Sequence, residues 1–164
     1  MTSDFSLHTL DRKLKVLIVC FTITLSIGFY TGINFVNFTT QGTPTGIEEN
    51  YLGNEADMEA EVMKFKKSEH EMLNILHTHF LSLSVIFFLL ALLVYGCTCP
   101  EKLKWALMIE PLISVFLTFG GIYMLWSGID WMVYVIILSG SLMTLSYTLS
   151  IVLIWKSLLN KVKS

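Results

Sequence analysis

The stretch that decides the fold is Ser68-Glu-His-Glu-Met-Leu-Asn-Ile-Leu-His-Thr-His79, which runs without a break into an apolar segment ending near Cys97. Ser68 and Glu71 stand in the Ser-x-x-Glu order of a capping box, which ties off the first free amides of a helix. A helix starting at about Glu69 and ending at Tyr95 is about 40 Å long at 1.5 Å per residue. It overshoots a hydrocarbon layer of about 30 Å. It therefore begins in water, with His70 outside and His77 and His79 one to two turns deep.

Working outward, the same pattern recurs. Apolar runs of about 20 residues lie at about 16–36, 73–96, 103–127 and 131–155, each long enough to cross a bilayer as a helix. Of the 164 residues 54% are hydrophobic and only 15% charged, against about a quarter charged in a soluble domain. The charges cluster at residues 1–15, 48–71, 101–104 and 156–163. The fold class is an all-α membrane protein. It is a four-transmembrane-helix bundle formed by residues 1–164 as one membrane domain, in contact with the lipid bilayer.

Residues 16–36 follow Arg12, Lys13 and Lys15 as a signal peptide would, but the run is too long and no small-x-small cleavage site follows it. It reads as a retained span. Cytoplasmic loops carry the excess of Lys and Arg. Lys102 and Lys104 lie between spans 2 and 3, and Lys156, Lys161 and Lys163 follow span 4, whereas the 37–71 segment has eight acids against three lysines. Both termini are expected in the cytoplasm, with 37–72 as an extracytoplasmic loop. Trp105 and Trp155 then fall at the inner interface, and Trp126 and Trp131 at the outer one. A net charge of −2 leaves no basic surface for a nucleic-acid partner.

Within the loop, Gly42, Pro44, Gly46 and Gly53 read as turn-forming breakers over 39–53. Asn54 reads as the cap of a short extracytoplasmic helix carrying Met58, Val62 and Phe65 on one face. Asn37-Phe-Thr39 matches a glycosylation acceptor at the membrane edge. Gly28 and Gly32 form a small-xxx-small pair, expected to let a neighbouring helix approach closely. Ser114, Thr118 and Gly121, and Gly140, Thr144 and Thr148, read as packing ridges of the same kind. Ser127-Gly-Ile-Asp130 closes spans 3 and 4 into a hairpin. Cys97 and Cys99 stand at the cytoplasmic end of span 2, where reduction disfavours a disulfide. Two thiols there are a weak basis for a metal site or acylation.

The chemistry-bearing residues concentrate in span 2. At about 100° per residue, His70, Asn74, His77, Leu81, Ser84 and Phe88 share one face. Such a stripe is expected to face protein or a wet cavity, because lipid cannot satisfy it. His79 lies about 200° from His77, so one unbroken helix cannot bring both to one ion. Glu110-Pro111 puts an acid inside span 3, a costly placement. Glu110 reads either as an uncharged structural group bonded to a neighbouring helix or as part of a transport or proton path.

The segment 44–96, with Pro44-Thr-Gly-Ile-Glu-Glu-Asn-Tyr51, Gly53-Asn-Glu55, Met63-Lys-Phe-Lys-Lys-Ser68 and His77-Thr-His79, is similar to an uncharacterised family of small bacterial inner-membrane proteins. These look like four-span bundles whose extracytoplasmic loop ends in His-x-His. The resemblance implies a bacterial cytoplasmic membrane and a site near the outer mouth.

Three readings of function follow. One is an accessory subunit binding haem b or a divalent metal. Haem would take His77 or His79 with Met124, Met132 or a second subunit's histidine as the opposite ligand. A divalent ion would take His70, His77 and Glu69, or His70 with Glu61. The second is a non-catalytic bundle that joins a homo-oligomer or a larger membrane complex. The third is a small transporter or proton-path component using Asn74, His77, Ser84 and Glu110. No Ser/His/Asp set, phosphate loop or zinc-hydrolase helix motif points to an enzyme.

Overall fold

A computed structural model describes residues 5–60 and 62–159. Glu61, Lys161 and Lys163, invoked above for a metal and for orientation, lie outside the described residues. Among those described there are helices and connections and no strands. The long helices are α1 (Arg12–Thr40), α3 (Glu69–Tyr95), α4 (Glu101–Trp126) and α5 (Met132–Leu159), and the short α2 (Pro44–Leu52) lies between the first two. All four long helices are apolar and long enough to cross a membrane. The protein is a multi-pass, four-helix membrane bundle.

Helix α3 starts where the capping box puts it. The Ser68 hydroxyl accepts from the Glu71 amide and the Glu71 carboxylate accepts from the Ser68 amide at 2.8 Å. Helices α3, α4 and α5 enclose the core, with Phe87, Val94, Val115, Leu125, Tyr147 and Ile154 all but sealed from outside. Pro111 is buried within a continuous α4. Helix α1 is peripheral, and only Thr22 and Thr40 of its 29 residues are buried.

What holds α1 is a strip of polar contacts to α5. Trp155 Nε1 donates to Thr22 Oγ1 at 2.9 Å. The hydroxyls of Ser26 and Tyr147 are 3.0 Å apart, and those of Tyr30 and Thr148 are 2.8 Å apart. Between these bonds, Phe29 stacks on Tyr147 with ring centroids 3.9 Å apart.

The connection after α1 differs from the sequence expectation. Residues 44–52 are helical, whereas residues 53–60 and 62–67, where the short helix is expected, are extended or turning. The breakers act as helix punctuation. Gln41 and Gly42 are both left-handed and reverse the chain out of α1. The Thr43 hydroxyl caps α2 by accepting from the Gly46 amide at 3.0 Å, and Pro44 takes the first helical position, which its fixed φ suits. Gly53, at φ 82°, ends the helix. Asn54 caps nothing. Its side chain accepts from the Lys64 amide at 2.6 Å and donates to the Val62 carbonyl at 3.0 Å, pinning the loop into a hairpin-like fold. Met58, Val62 and Phe65 are all exposed.

This loop docks on one end of the bundle, the loop face. Trp126 Nε1 donates to the Lys67 carbonyl at 2.8 Å and Lys66 Nζ sits 5.2 Å from the Trp126 ring centroid. At the opposite, terminal face the Leu7 amide donates to the Gly96 carbonyl at 2.9 Å. Both ends of the described chain therefore lie at the face that holds the α3–α4 connection.

Candidate ligand groove between α1 and the three-helix core

Because α1 touches α5 along one narrow strip, its other side stands off from the core and leaves a cavity of about 490 Å³. Eight of the 13 lining residues come from α1, running from Phe21 to Val36. At 1.5 Å per residue this is a groove about 22 Å long, most of the thickness of a hydrocarbon layer. Leu83, Ile86, Phe119 and Met143 line the far wall. Gly28 and Gly32 also line it, and a Cβ added at either would meet nothing within 4 Å. The glycine pair expected to seat a neighbouring helix thus opens space within this chain instead.

His79 is the one titratable side chain in this wall, and Thr24 the only other polar one. Its Nδ1 lies 2.8 Å from the Ile75 carbonyl oxygen, and its ring stacks on Phe119 with centroids 4.4 Å apart. A carbonyl can only accept, so Nδ1 carries the proton. In the neutral ring Nε2 then presents a lone pair, able to accept a hydrogen bond or to ligate a metal. Backbone bond and aromatic stack together fix the ring, as the outer partners of a binding histidine do.

The other predicted site residues lie elsewhere. His70, Asn74, His77 and Ser84 are exposed on the side of α3 away from the bundle, as are Leu81 and Phe88. The stripe faces neither this chain's core nor its cavity. His77 and His79 point to opposite sides of one unbroken helix, as their spacing requires. Met124 is exposed and Met132 half-buried, and neither lines the cavity that holds His79. Met143, passed over in the sequence, does.

His70 and His77 stand two turns apart, about 10 Å along the axis, too far to share one ion with Glu69. Among the described residues no three His, Cys, Asp or Glu side chains come together as a metal site. The Cys97 thiol is buried and donates to the Leu93 carbonyl at 3.4 Å. Burial pushes its pKa up, which disfavours the thiolate a metal would need.

Glu110 bonds within its own helix, accepting from the Ser114 hydroxyl, and not to a neighbour. Its Oε2 is buried with no hydrogen-bond partner. It lines a second, apolar cavity of about 370 Å³ formed by α4 and α5 alone. None of the α3 stripe residues is among those lining this cavity.

The profile of a transmembrane helical domain, Aq_1264_TM, matches residues 41–164. The chain belongs to the Aq_1264_TM family. The match takes in α2 to α5, so α1, which supplies most of the groove, lies outside it. No curated protein matches the chain. No solved structure matches it either.

Proposed function

We propose that this protein is a non-enzymatic membrane binding subunit. Its α1 groove takes one elongated apolar molecule from the bilayer, with His79 at the molecule's polar end. The observation that carries this is a cavity of about 490 Å³, within the range of small-molecule sites, whose wall holds a single oriented imidazole. A lone-pair nitrogen favours a ligand ending in a hydrogen-bond donor, such as the hydroxyl of a quinol or of an isoprenoid alcohol. The basic terminal groups and the acidic loop support an orientation with the loop face outward, which sets His79 in the outer leaflet of a bacterial cytoplasmic membrane.

Haem b is the second reading, favoured by the same Nε2 lone pair. His79 would be the axial ligand, and Met143 is the one sulfur that lines the same cavity. No cation lines the groove to receive the propionates, which is why the apolar ligand with a donor head stands first.

The test is a visible spectrum of the detergent-purified protein with mass spectrometry of its organic extract, repeated for His79→Ala. A stoichiometric hydroxyl-bearing apolar molecule that is lost in His79→Ala supports the reading. A Soret band lost in that variant replaces it with haem. A colourless protein whose extract matches bulk lipid in both forms overturns both.

A further inference from the structure

The α3 stripe has a property that the groove does not explain. His70, Asn74, His77, Leu81, Ser84 and Phe88 follow one another at gaps of 4, 3, 4, 3 and 4 residues. That is the 3.5-residue period of a coiled-coil seam and not the broader stripe of a helix lying against a globular core. The seam is about 27 Å long and runs from the start of α3 outside the bilayer into the hydrocarbon layer. All six residues are exposed, while Met72, Phe87, Leu90 and Val94 on the opposite side of α3 are buried in the core. The seam therefore points straight out of the bundle. Among the described residues the side chains of Asn74, His77 and Ser84 have no hydrogen-bond partner within the chain, and for those that lie in the hydrocarbon layer the bilayer supplies none.

The chemistry of the seam selects its occupant. Asn, neutral His and Ser each carry both a donor and an acceptor, so each can pair with a copy of itself. No Lys, Arg, Asp or Glu lies on the seam to demand an opposite charge from a different protein. A two-fold axis along the membrane normal sets each residue against its own counterpart. In a parallel pair this brings Asn74 to Asn74, His77 to His77 and Ser84 to Ser84. A single polar position in such a seam fixes register and the number of strands.

We propose that α3 is the interface of a parallel homodimer, with a second copy of this chain packed along the His70–Phe88 seam. Asn74 and His77 form the polar centre that sets its register. The groove lies on the other side of α3 and α1, so each copy keeps its own.

Single cysteines placed along α3 test this in native membranes, in a chain whose Cys20, Cys97 and Cys99 are replaced by serine. Oxidative cross-linking is expected to peak at 81, 84 and 88, positions that leave Asn74 and His77 in place, and to be low at the exposed flanking positions 78, 82 and 89. Equal cross-linking at all positions, or a peak at the flanking ones, overturns the proposal. Should the serine background not fold, the intact protein is used, its mass read in nanodiscs across a range of protein-to-lipid ratios. A dimer that Asn74→Ala weakens by roughly tenfold, in line with polar contacts between membrane helices, supports the seam. A chain that stays monomeric at every ratio, or a dimer that Asn74→Ala leaves untouched, overturns it.

Discussion

Replacing Gly28 or Gly32 by leucine separates a ligand groove from a helix-packing surface, because the two readings predict opposite signs. If the pair seats another helix, a leucine forces the backbones apart and destabilises the assembly. If the pair lines a groove, the new side chain enters empty space, since a Cβ at either site meets nothing within 4 Å. Glycine inside a helix costs about 0.8–1 kcal/mol relative to alanine, and leucine is nearly as good a helix former as alanine. Each variant should therefore gain up to about 1 kcal/mol. For a chain of this size that is a rise of about 2–4 °C in the unfolding midpoint. The same leucine occupies the groove at mid-depth and should cut ligand retention by at least about tenfold, which is about 1.4 kcal/mol. Thermal unfolding in detergent and quantification of the co-purified ligand read both effects on one preparation. A variant that loses stability refutes the geometry of α1. One that gains stability and keeps its ligand refutes the groove as the site.

Two further predictions probe the fold. Gly46→Ala drives a Cβ into the Thr40 carbonyl oxygen, a backbone clash that should cost about 3 kcal/mol and free α2 from the loop face, seen as faster proteolysis within 41–67. Ser68→Ala removes one half of the capping box and should cost about 1 kcal/mol, seen in thermal unfolding and as early amide exchange in the first turn of α3.

The membrane architecture was legible because the bilayer imposes a length and a polarity that few sequences meet by accident. The helix start at Glu69 was equally legible, because Ser68 and Glu71 state the cap in their own side chains. The short helix is hidden in the sequence because Pro44 and Gly53 read equally as breakers, although proline at a first position and glycine at an end are how a helix is bounded. Asn54 looked like a cap, but the chain turns back after it and Lys64 takes its oxygen. The opposed directions of His77 and His79 could be read from a two-residue gap. The groove could not. It depends on where α1 stands relative to α3 and α4, and no local pattern encodes a distance between two helices. A trace of it was present in Thr22, Ser26 and Tyr30, which recur at i, i+4 and i+8 on α1 and meet Trp155, Tyr147 and Thr148.

That strip also explains why the groove stays open. In lipid, apolar helices gain little by hiding their surfaces from water, so a loosely packed helix is not drawn inward as it would be in a soluble bundle. Its position follows from the few bonds that have no better partner in the bilayer. Here three side-chain hydrogen bonds and the stack of Phe29 on Tyr147 lie on one line of α5. They fix the tilt and the distance of α1, while the glycines beside them add nothing that would fill the gap. Tyr147 is central to this, being fully buried, bonded to Ser26 and stacked on Phe29. The width of the groove is thus set by polar contacts on one side of α1 and its emptiness by glycine on the other. His79, held by its own backbone and stacked on Phe119, faces the opening from α3, so α1 sets the shape of the groove and α3 supplies its one imidazole.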